Sequence, residues 1–216
     1  MKTIDAKAQD LKAVNRHLKG LLNGQPVVVK NVSHVHGLAA GLKHGEVVVQ
    51  GNAGDYLGVL NAGATVRVTR NAGRYVADNM TAGTVIVEGS AEYGAGQYCY
   101  GGTLVVRGDA GDFTSTMNKG ATIVVVGNVG REVGTYMLKG DLIVVGNAGD
   151  NFANYLIRGN VYIAGEWTTL GHNARVEAPT AEDASKLRAL FEKYEIEAIP
   201  TAFKKIVAAS EKPFYN

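Results

Sequence analysis

Residues 51–58 read GNAGDYLG, with glycine at the first, fourth and eighth positions around Asn52. Two readings compete for such a stretch: a loop that cradles a phosphate, or a corner at which the backbone bends. A phosphate loop needs its glycines once, between a strand and a helix. A corner in a repeating fold needs them in every repeat.

The stretch does recur. Stepping 19 residues at a time from Asn52 gives Asn71, Ser90, Asp109, Asn128 and Asn147, and one irregular step back of 21 gives Asn31. Two positions on stand Ser33, Gly54, Gly73, Glu92, Gly111, Gly130 and Gly149. Six positions on stand Gly37, Gly58, Ala77, Gly96, Ser115, Gly134 and Ala153, all small. Three positions ahead of the reference column come Val28, Val49, Val68, Val87, Val106, Val125, Val144 and Ile163. Five ahead come Pro26, Val47, Val66, Val85, Leu104, Ile123, Leu142 and Val161. The residues between them vary freely, as Arg67 and Tyr162 illustrate. This is period-2 alternation, the mark of a strand with one aliphatic face.

A 19-residue unit is too short for a four-stranded propeller blade and carries no helical pattern of its own. It suits one coil of a β-solenoid, in which neighbouring coils pair at about 4.8 Å. Asn52, Gly54, Gly58, Asn71, Gly73, Asn128, Gly130, Gly134, Asn147 and Gly149 are then structural corner positions. There Asn and Gly are expected to accept left-handed backbone, and the Asn side chains to bond along the axis like the amide ladders of cross-β structures. No helical pattern follows Gly58, and no G-x-x-x-x-G-K-[ST] occurs. GNAGDYLG reads as a corner.

Composition agrees. Glycine makes up 28 of 216 residues, about 13% against a usual value of roughly 7%, while proline numbers only four. A net charge of +2, from 22 basic and 20 acidic residues, gives no electrostatic footprint for nucleic acid or an anionic membrane. The apolar runs are too short to span a bilayer, and MKTIDAKAQD lacks the apolar core of a signal peptide. A single cysteine, Cys99, excludes an intrachain disulfide. A reducing cytoplasm is the expected location.

The ends of a solenoid need covers. Residues 6–22 place Leu11, Val14, Leu18, Leu21 and Leu22 on one helical face. PTAEDASKLRALFEKYEI starts with Thr180 as N-cap and Asp183 three residues on, followed by Leu187, Leu190, Phe191 and Tyr194 as an apolar stripe. TAFKKIVAAS is expected to form a second helix. The expected organisation is a helical N-terminal cap over 1–24, coils over 25–178 and a helical C-terminal tail over 179–216.

Catalytic chemistry is hard to find. His34, His36 and His44 lack a carboxylate or cysteine to complete a metal site. Asp112, Arg131 and Asp150 share a column one coil apart, which reads as a surface ion ladder. The two carboxylates would stand near 10 Å apart by strand spacing, with a cation between them rather than the bond a glycosidase cleaves. Cys99 falls in the column of Met80, Asn118 and Met137 and reads as a packing residue. Tyr93, Tyr98 and Tyr100 cluster in one coil; with His34 and His36 they are the expected interface residues.

With the repeat laid out, the run from KNVSHVHGLAAGL through GNAGDYLG, NAGRYVADNMTAGTV, EGSAEYGAG and GNVGREVG resembles the C-terminal domain of the glutamate synthase large subunit. That family carries G-xx-G-xxx-G repeats, matched here by Gly51/Gly54/Gly58 and Gly127/Gly130/Gly134. Ser115, Ala153 and Arg70 depart from the pattern in other coils. The likeness spans roughly residues 25–165. It implies a right-handed, single-stranded parallel β-helix of about seven 19-residue coils with helical caps. Such a domain acts as a scaffold between an amidotransferase and an FMN-binding synthase barrel.

The chain starts Met1-Lys2 with no N-terminal cysteine nucleophile and is too short for a barrel, so a free-standing scaffold subunit is expected. Its partners would be a glutamine-amidotransferase-like subunit and an FMN-binding glutamate-synthase-like subunit, with FMN on the partner, and no catalytic, cofactor or metal residues on this chain. NVSHVHGLAAGL and DNMTAGTV are most similar to the small β-helix subunit of N-methylglutamate synthase, which joins methylamine to glutamate with release of ammonia. A split glutamate synthase and the β-helix subunit of formylmethanofuran dehydrogenase share this kind of domain. A polysaccharide-acting β-helix enzyme is the alternative of another class.

Overall fold

The computed structural model describes residues 2–212. Its strands are β1 (Lys2–Asp5), β2 (Val27–Lys30), β3 (Glu46–Gln50), β4 (Ala62–Val68) and β5 (Ala82–Val87), followed by β6 (Thr103–Val106), β7 (Lys119–Val125), β8 (Lys139–Val144) and β9 (Asn160–Ile163). Each pairs in parallel with the next. That is a parallel β-solenoid. Register follows the repeat: Val66, Val85, Leu104, Ile123, Leu142 and Val161 stand over one another, fully buried. A second wall is held by single parallel bridges running Ala53, Ala72, Ala91, Ala110, Val129, Ala148 and Trp167. The third wall is a run of tight turns.

The asparagine column forms a ladder of side chain to backbone, not amide to amide. Asn52 Oδ1 accepts the Asn71 N–H at 3.2 Å, and Asn71 Oδ1 accepts that of Ser90 at 3.0 Å. Ser90 Oγ takes the Asp109 N–H at 3.1 Å, Asp109 that of Asn128 at 2.7 Å, and Asn128 that of Asn147 at 2.9 Å. Any short side chain with an acceptor satisfies a donor that the corner would otherwise leave unpaired, which is why Ser and Asp stand in for Asn.

Asn52, Asn71, Ser90, Asp109, Asn128 and Asn147 are not left-handed, contrary to expectation; Asn31, placed in the same column by the step of 21, is left-handed, as are Asn79, Asn151 and Asn173. The glycines split by role as well. Gly58 and Gly134 are left-handed, at φ 67° and 75°. Gly130 is needed for space: a Cβ there would lie 2.6 Å from the Asp112 backbone nitrogen.

The first coil differs from the expected alignment. Val27, Val28 and Val29 pair with Val47, Val48 and Val49, so Val27 and Val29 face the core rather than Pro26 and Val28. On the turn wall the Gly37 N–H donates to Asp55 O as the Tyr56 N–H does to Arg74 O, and the Gly58 N–H donates to Leu38 O as Ala77 does to Leu57. Residue 37 therefore stands under 56, and Ala39 rather than Gly37 under Gly58. The step is 20 at the strand and 19 at the turns. The corner between them absorbs the extra residue, a difference that a uniform shift of 21 hides.

Helix α1 (Leu11–Leu21) closes the first end with Val14 and Leu18 buried. It starts later than expected because Asp10 caps it, accepting the Ala13 N–H at 2.8 Å, while Lys2–Asp5 extends the sheet. Leu11 stays 42% exposed. Asn15 fixes the helix to the first coil, donating to Gly37 O at 2.9 Å and accepting from Ala39 N at 2.8 Å.

At the other end come β10 (Ala174–Glu177), α2 (Ala181–Tyr194), a 3-10 turn (Pro200–Ala202) and β11 (Lys204–Ala208). Thr180 and Asp183 form the expected capping box. α2 lies on the outer side of the strand wall, where Leu187, Phe191 and Tyr194 pack with Val105, Val124, Ile143 and Tyr162.

TAFKKIVAAS corrects the expectation of a second helix. Lys204–Ala208 is a strand, antiparallel to both β9 and β10. β9 would otherwise present unpaired backbone groups, and the β-branched Ile206 and Val207 suit a strand paired on both sides, which leaves β10 at the edge. Residues 213–216 of the expected tail lie outside the described residues.

Candidate functional site

Four, six and eight positions after the reference column the backbone turns left-handed. Tyr75, Ala77 and Asn79 do so at φ 58°, 59° and 54°; Phe113, Ser115 and Met117 at 60°, 62° and 52°. Such backbone costs a residue with a Cβ roughly 1–2 kcal/mol. Neighbouring coils hold it with bonds of alternating direction: Tyr75 N to Tyr93 O at 2.8 Å, Ala77 N back to Leu57 O at 2.8 Å, and Asn79 N to Gln97 O at 3.0 Å. The fifth-position residues Leu57, Val76, Ala95, Val133 and Phe152 are fully buried. Fourth, seventh and eighth positions supply the outer surface.

That surface carries two aromatic rows along the axis. Tyr56 stacks on Tyr75 with centroids 4.8 Å apart, Tyr75 meets the edge of Tyr93 at 5.5 Å, and Tyr93 meets Phe113 at 5.1 Å. Tyr93 enters the row from the third position because Gly94 fills the fourth; a Cβ on Gly94 would lie 2.7 Å from the Tyr75 ring. The other row includes Tyr98, Met117, Tyr136 and Tyr155, with Tyr136 stacked on Tyr155 at 5.3 Å and Tyr155 against His172 at 4.9 Å. Tyr56 is 40% exposed and Tyr93 37%.

Between the rows runs a groove of about 590 Å³. Its floor is the seventh-position column: Asp78, Gln97, Thr116 and Thr135. Gln97 Nε2 donates to Phe113 O at 3.3 Å and Thr135 Oγ1 to Glu132 O at 2.9 Å. Thr116 Oγ1 is buried with no hydrogen-bond partner among the described residues. Asp78 is half-buried and accepts from Asn79 Nδ2 at 2.9 Å. Burial raises its carboxyl above the usual range, and the Asn79 bond offsets only part of the rise.

The expected interface residues divide. Tyr93 and Tyr98 stand on opposite sides of the groove. Tyr100, 54% exposed, stands beyond Tyr98; Lys119 Nζ bonds its hydroxyl at 2.9 Å and lies 5.7 Å from the Tyr98 ring centre. His34 and His36 belong to the first coil. His36 Nδ1 accepts the Asp55 N–H at 3.0 Å, continuing a corner ladder, and His34 Nε2 sits 3.4 Å from Gln9 O.

Tyr56, Tyr75, Phe113, Tyr136 and Asp78 do not stand out in the sequence. The fourth, seventh and eighth columns of the repeat, read as the others are, would find them.

Elsewhere, Arg131 Nε bonds Asp112 Oδ2 at 3.0 Å and its backbone nitrogen bonds Oδ1 at 3.0 Å, so that rung of the ion ladder forms. Asp150 instead accepts from Thr169 Oγ1 at 3.3 Å. Cys99 is buried beside Met80 and donates to Ala77 O at 3.0 Å; burial pushes its thiol up to about 12, far from a thiolate nucleophile. Among the described residues no group of three His, Cys, Asp or Glu side chains could hold a metal ion, and no helix is long and apolar enough to cross a membrane.

A family model described as the GXGXG motif matches residues 11–211. The chain belongs to the GXGXG motif family. This is the family of the C-terminal domain of the glutamate synthase large subunit, and its repeat is the one whose glycines build the corners above. The match runs past the coils into α2 and β11, so the flanking elements are part of the family unit. A search of curated proteins found no match.

Proposed function

We propose that this chain is a non-catalytic scaffold subunit of a glutamate-synthase-like complex. It docks a glutamine-amidotransferase-like subunit against an FMN-binding synthase subunit, with the flavin on the partner. The observation that carries the reading is the uncovered aromatic groove on a rigid coil stack of this family. Tyrosine-rich surfaces bury large area at low side-chain entropy cost and are enriched at protein interfaces. The specific reaction proposed is N-methylglutamate synthesis from methylamine and glutamate, in the cytoplasm. It rests on the likeness of residues 31–42 and 78–85 to that enzyme's small subunit.

The test is purification from the native host without dissociation, followed by native mass spectrometry and a visible spectrum. The expected result is two further chains and a flavin band, with turnover on methylamine exceeding that on ammonia. Turnover on ammonia instead would assign a split glutamate synthase. A tungsten or molybdenum complex would assign the formylmethanofuran type. A single colourless chain would overturn the scaffold reading.

A further inference from the structure

The groove on the turn wall has a feature that a generic docking surface does not need. Twelve residues line it, and none is lysine or arginine. Six of them are aromatic, and one, Asp78, is a carboxylate. Asp78 is half-buried on the floor, and its hydrogen-bond partner is the neutral Asn79 side chain; no ion pair reaches it among the described residues. Of the other acidic groups on this side of the molecule, Asp112 holds Arg131 and Glu92 lies 3.5 Å from Arg74, while Glu132 and Asp150, outside the groove lining, bond the neutral side chains of Thr135, Asn151, Asn154 and Thr169. Thr116 Oγ1, an unpartnered hydroxyl, is buried along the same floor.

An unpaired carboxylate between aromatic walls is chemistry suited to an organic cation. Aromatic faces attract a cation through their quadrupole, and more so once water is excluded. A carboxylate held away from water gains most from a hydrogen-bonded counter-ion. Between the two basic side chains, guanidinium fits better: its planar fork bonds a carboxylate through two N–H groups while its flat face lies on a ring. Arginine is also enriched where interfaces carry most of their binding energy.

We infer that the groove receives an arginine side chain of a docking subunit, with Asp78 as its counter-ion and Tyr75, Tyr93 and Tyr98 among the groups around it. The occupant is thus a partner polypeptide that presents an exposed arginine, which deepens and rests on the scaffold reading. Placing the arginine there neutralises the groove's one charge and gives the Tyr75 and Tyr93 rings a cation, whereas Tyr98 already has Lys119 Nζ 5.7 Å from its ring centre. It also explains how a surface built from identical coils selects one register. Only the coil beginning at Asn71 has a carboxylate at the seventh position; its neighbours offer Val59, Gln97, Thr116, Thr135 and Asn154.

The test uses the full chain and a small probe, so that it does not depend on a partner being found. Amide and side-chain NMR signals are followed during titration with N-acetyl-arginine amide, and with the uncharged N-acetyl-citrulline amide as control. The expected result is saturable shifts at Asp78, Asn79 and Gln97 for the arginine probe, with the citrulline probe at least tenfold weaker. In Asp78→Asn the arginine response falls at least tenfold while the other backbone signals stay in place. Equal response to both probes, shifts centred elsewhere, or an undiminished response in Asp78→Asn overturns the cation site.

A pull-down from the native host with wild type and Asp78→Asn separates this inference from the scaffold reading. Partners lost only in Asp78→Asn support both. Partners retained equally in both leave the scaffold standing and sink the arginine. A specific probe response with no partner in either preparation keeps the cation site and sinks the scaffold.

Discussion

The strand wall and the turn wall come from the same 19-residue repeat, yet the chain treats their outer sides differently. Over β6 to β9 the outward residues Val105, Val124, Ile143 and Tyr162 are apolar, and α2 and Phe203 cover them. On the turn wall Tyr56, Tyr75, Tyr93 and Phe113 are also apolar and outward, and nothing in the described chain covers them. The protein therefore has the means to bury an outward apolar row and applies it to only one of two. The covered row contributes to folding stability. The open row leaves Tyr56 and Tyr93 partly exposed.

The largest effect is expected at Tyr162, the largest fully buried side chain among the described residues. It fills the contact between strand wall and α2, and its hydroxyl donates to Asp183 Oδ1 at 2.6 Å. Tyr162→Ala should cost about 4 kcal/mol, the range for deleting a buried aromatic ring, measured by urea unfolding. A loss under about 1 kcal/mol would mean that α2 is not part of the cooperative unit.

A smaller effect is expected from pH. Burial opposes ionisation of Asp183, but bonds from Tyr162, Thr180 and Lys205 outweigh it and hold the carboxyl well below the usual range. Lys205 Nζ lies 3.0 Å from Asp183 Oδ2. A carboxyl depressed in the folded state stabilises it above the unfolded pKa, near 3.9, and that contribution is lost as pH falls toward the folded value. Stability should thus drop below about pH 4. Asp183→Asn should lower stability at pH 7 by about 3 kcal/mol, as breaking a buried ion pair does, and should flatten the acid limb. An unchanged acid limb in the variant would show that other carboxylates control it.

How much of this is legible in the sequence depends on the column. The inward valines and corner glycines repeat in type, so a period count places them and the solenoid follows. The open groove repeats in location but not in type: its fourth-position column reads Tyr56, Tyr75, Gly94, Phe113, Glu132 and Asn151. A search for recurring residue types along the repeat passes over it, and Tyr93 joins the row from a different column altogether. The first coil's register is hidden for a related reason, because one inserted residue at a corner shifts strand and turn by different amounts. TAFKKIVAAS misleads because its local pattern fits either state. The unpaired edge of β9, a tertiary fact, decides for strand.

The smallest effect on stability is expected at Tyr56. Tyr56 sits in left-handed backbone at φ 58°, a conformation that glycine adopts without steric cost. Replacing it by glycine removes a stacked ring, worth about 0.5–1.5 kcal/mol beyond burial, and relieves strain of roughly 1–2 kcal/mol. With the side chain 40% exposed, the losses and gains nearly cancel. Tyr56→Gly should change stability by less than about 1 kcal/mol, while reducing partner capture in the native-host pull-down. If it instead destabilises as strongly as Tyr162→Ala, the aromatic row supports the coil rather than a partner, and the difference between the two walls is one of covering and not of use. If stability holds and capture falls, the strain of the turn wall is carried for binding, because the fold alone would tolerate glycine in its place.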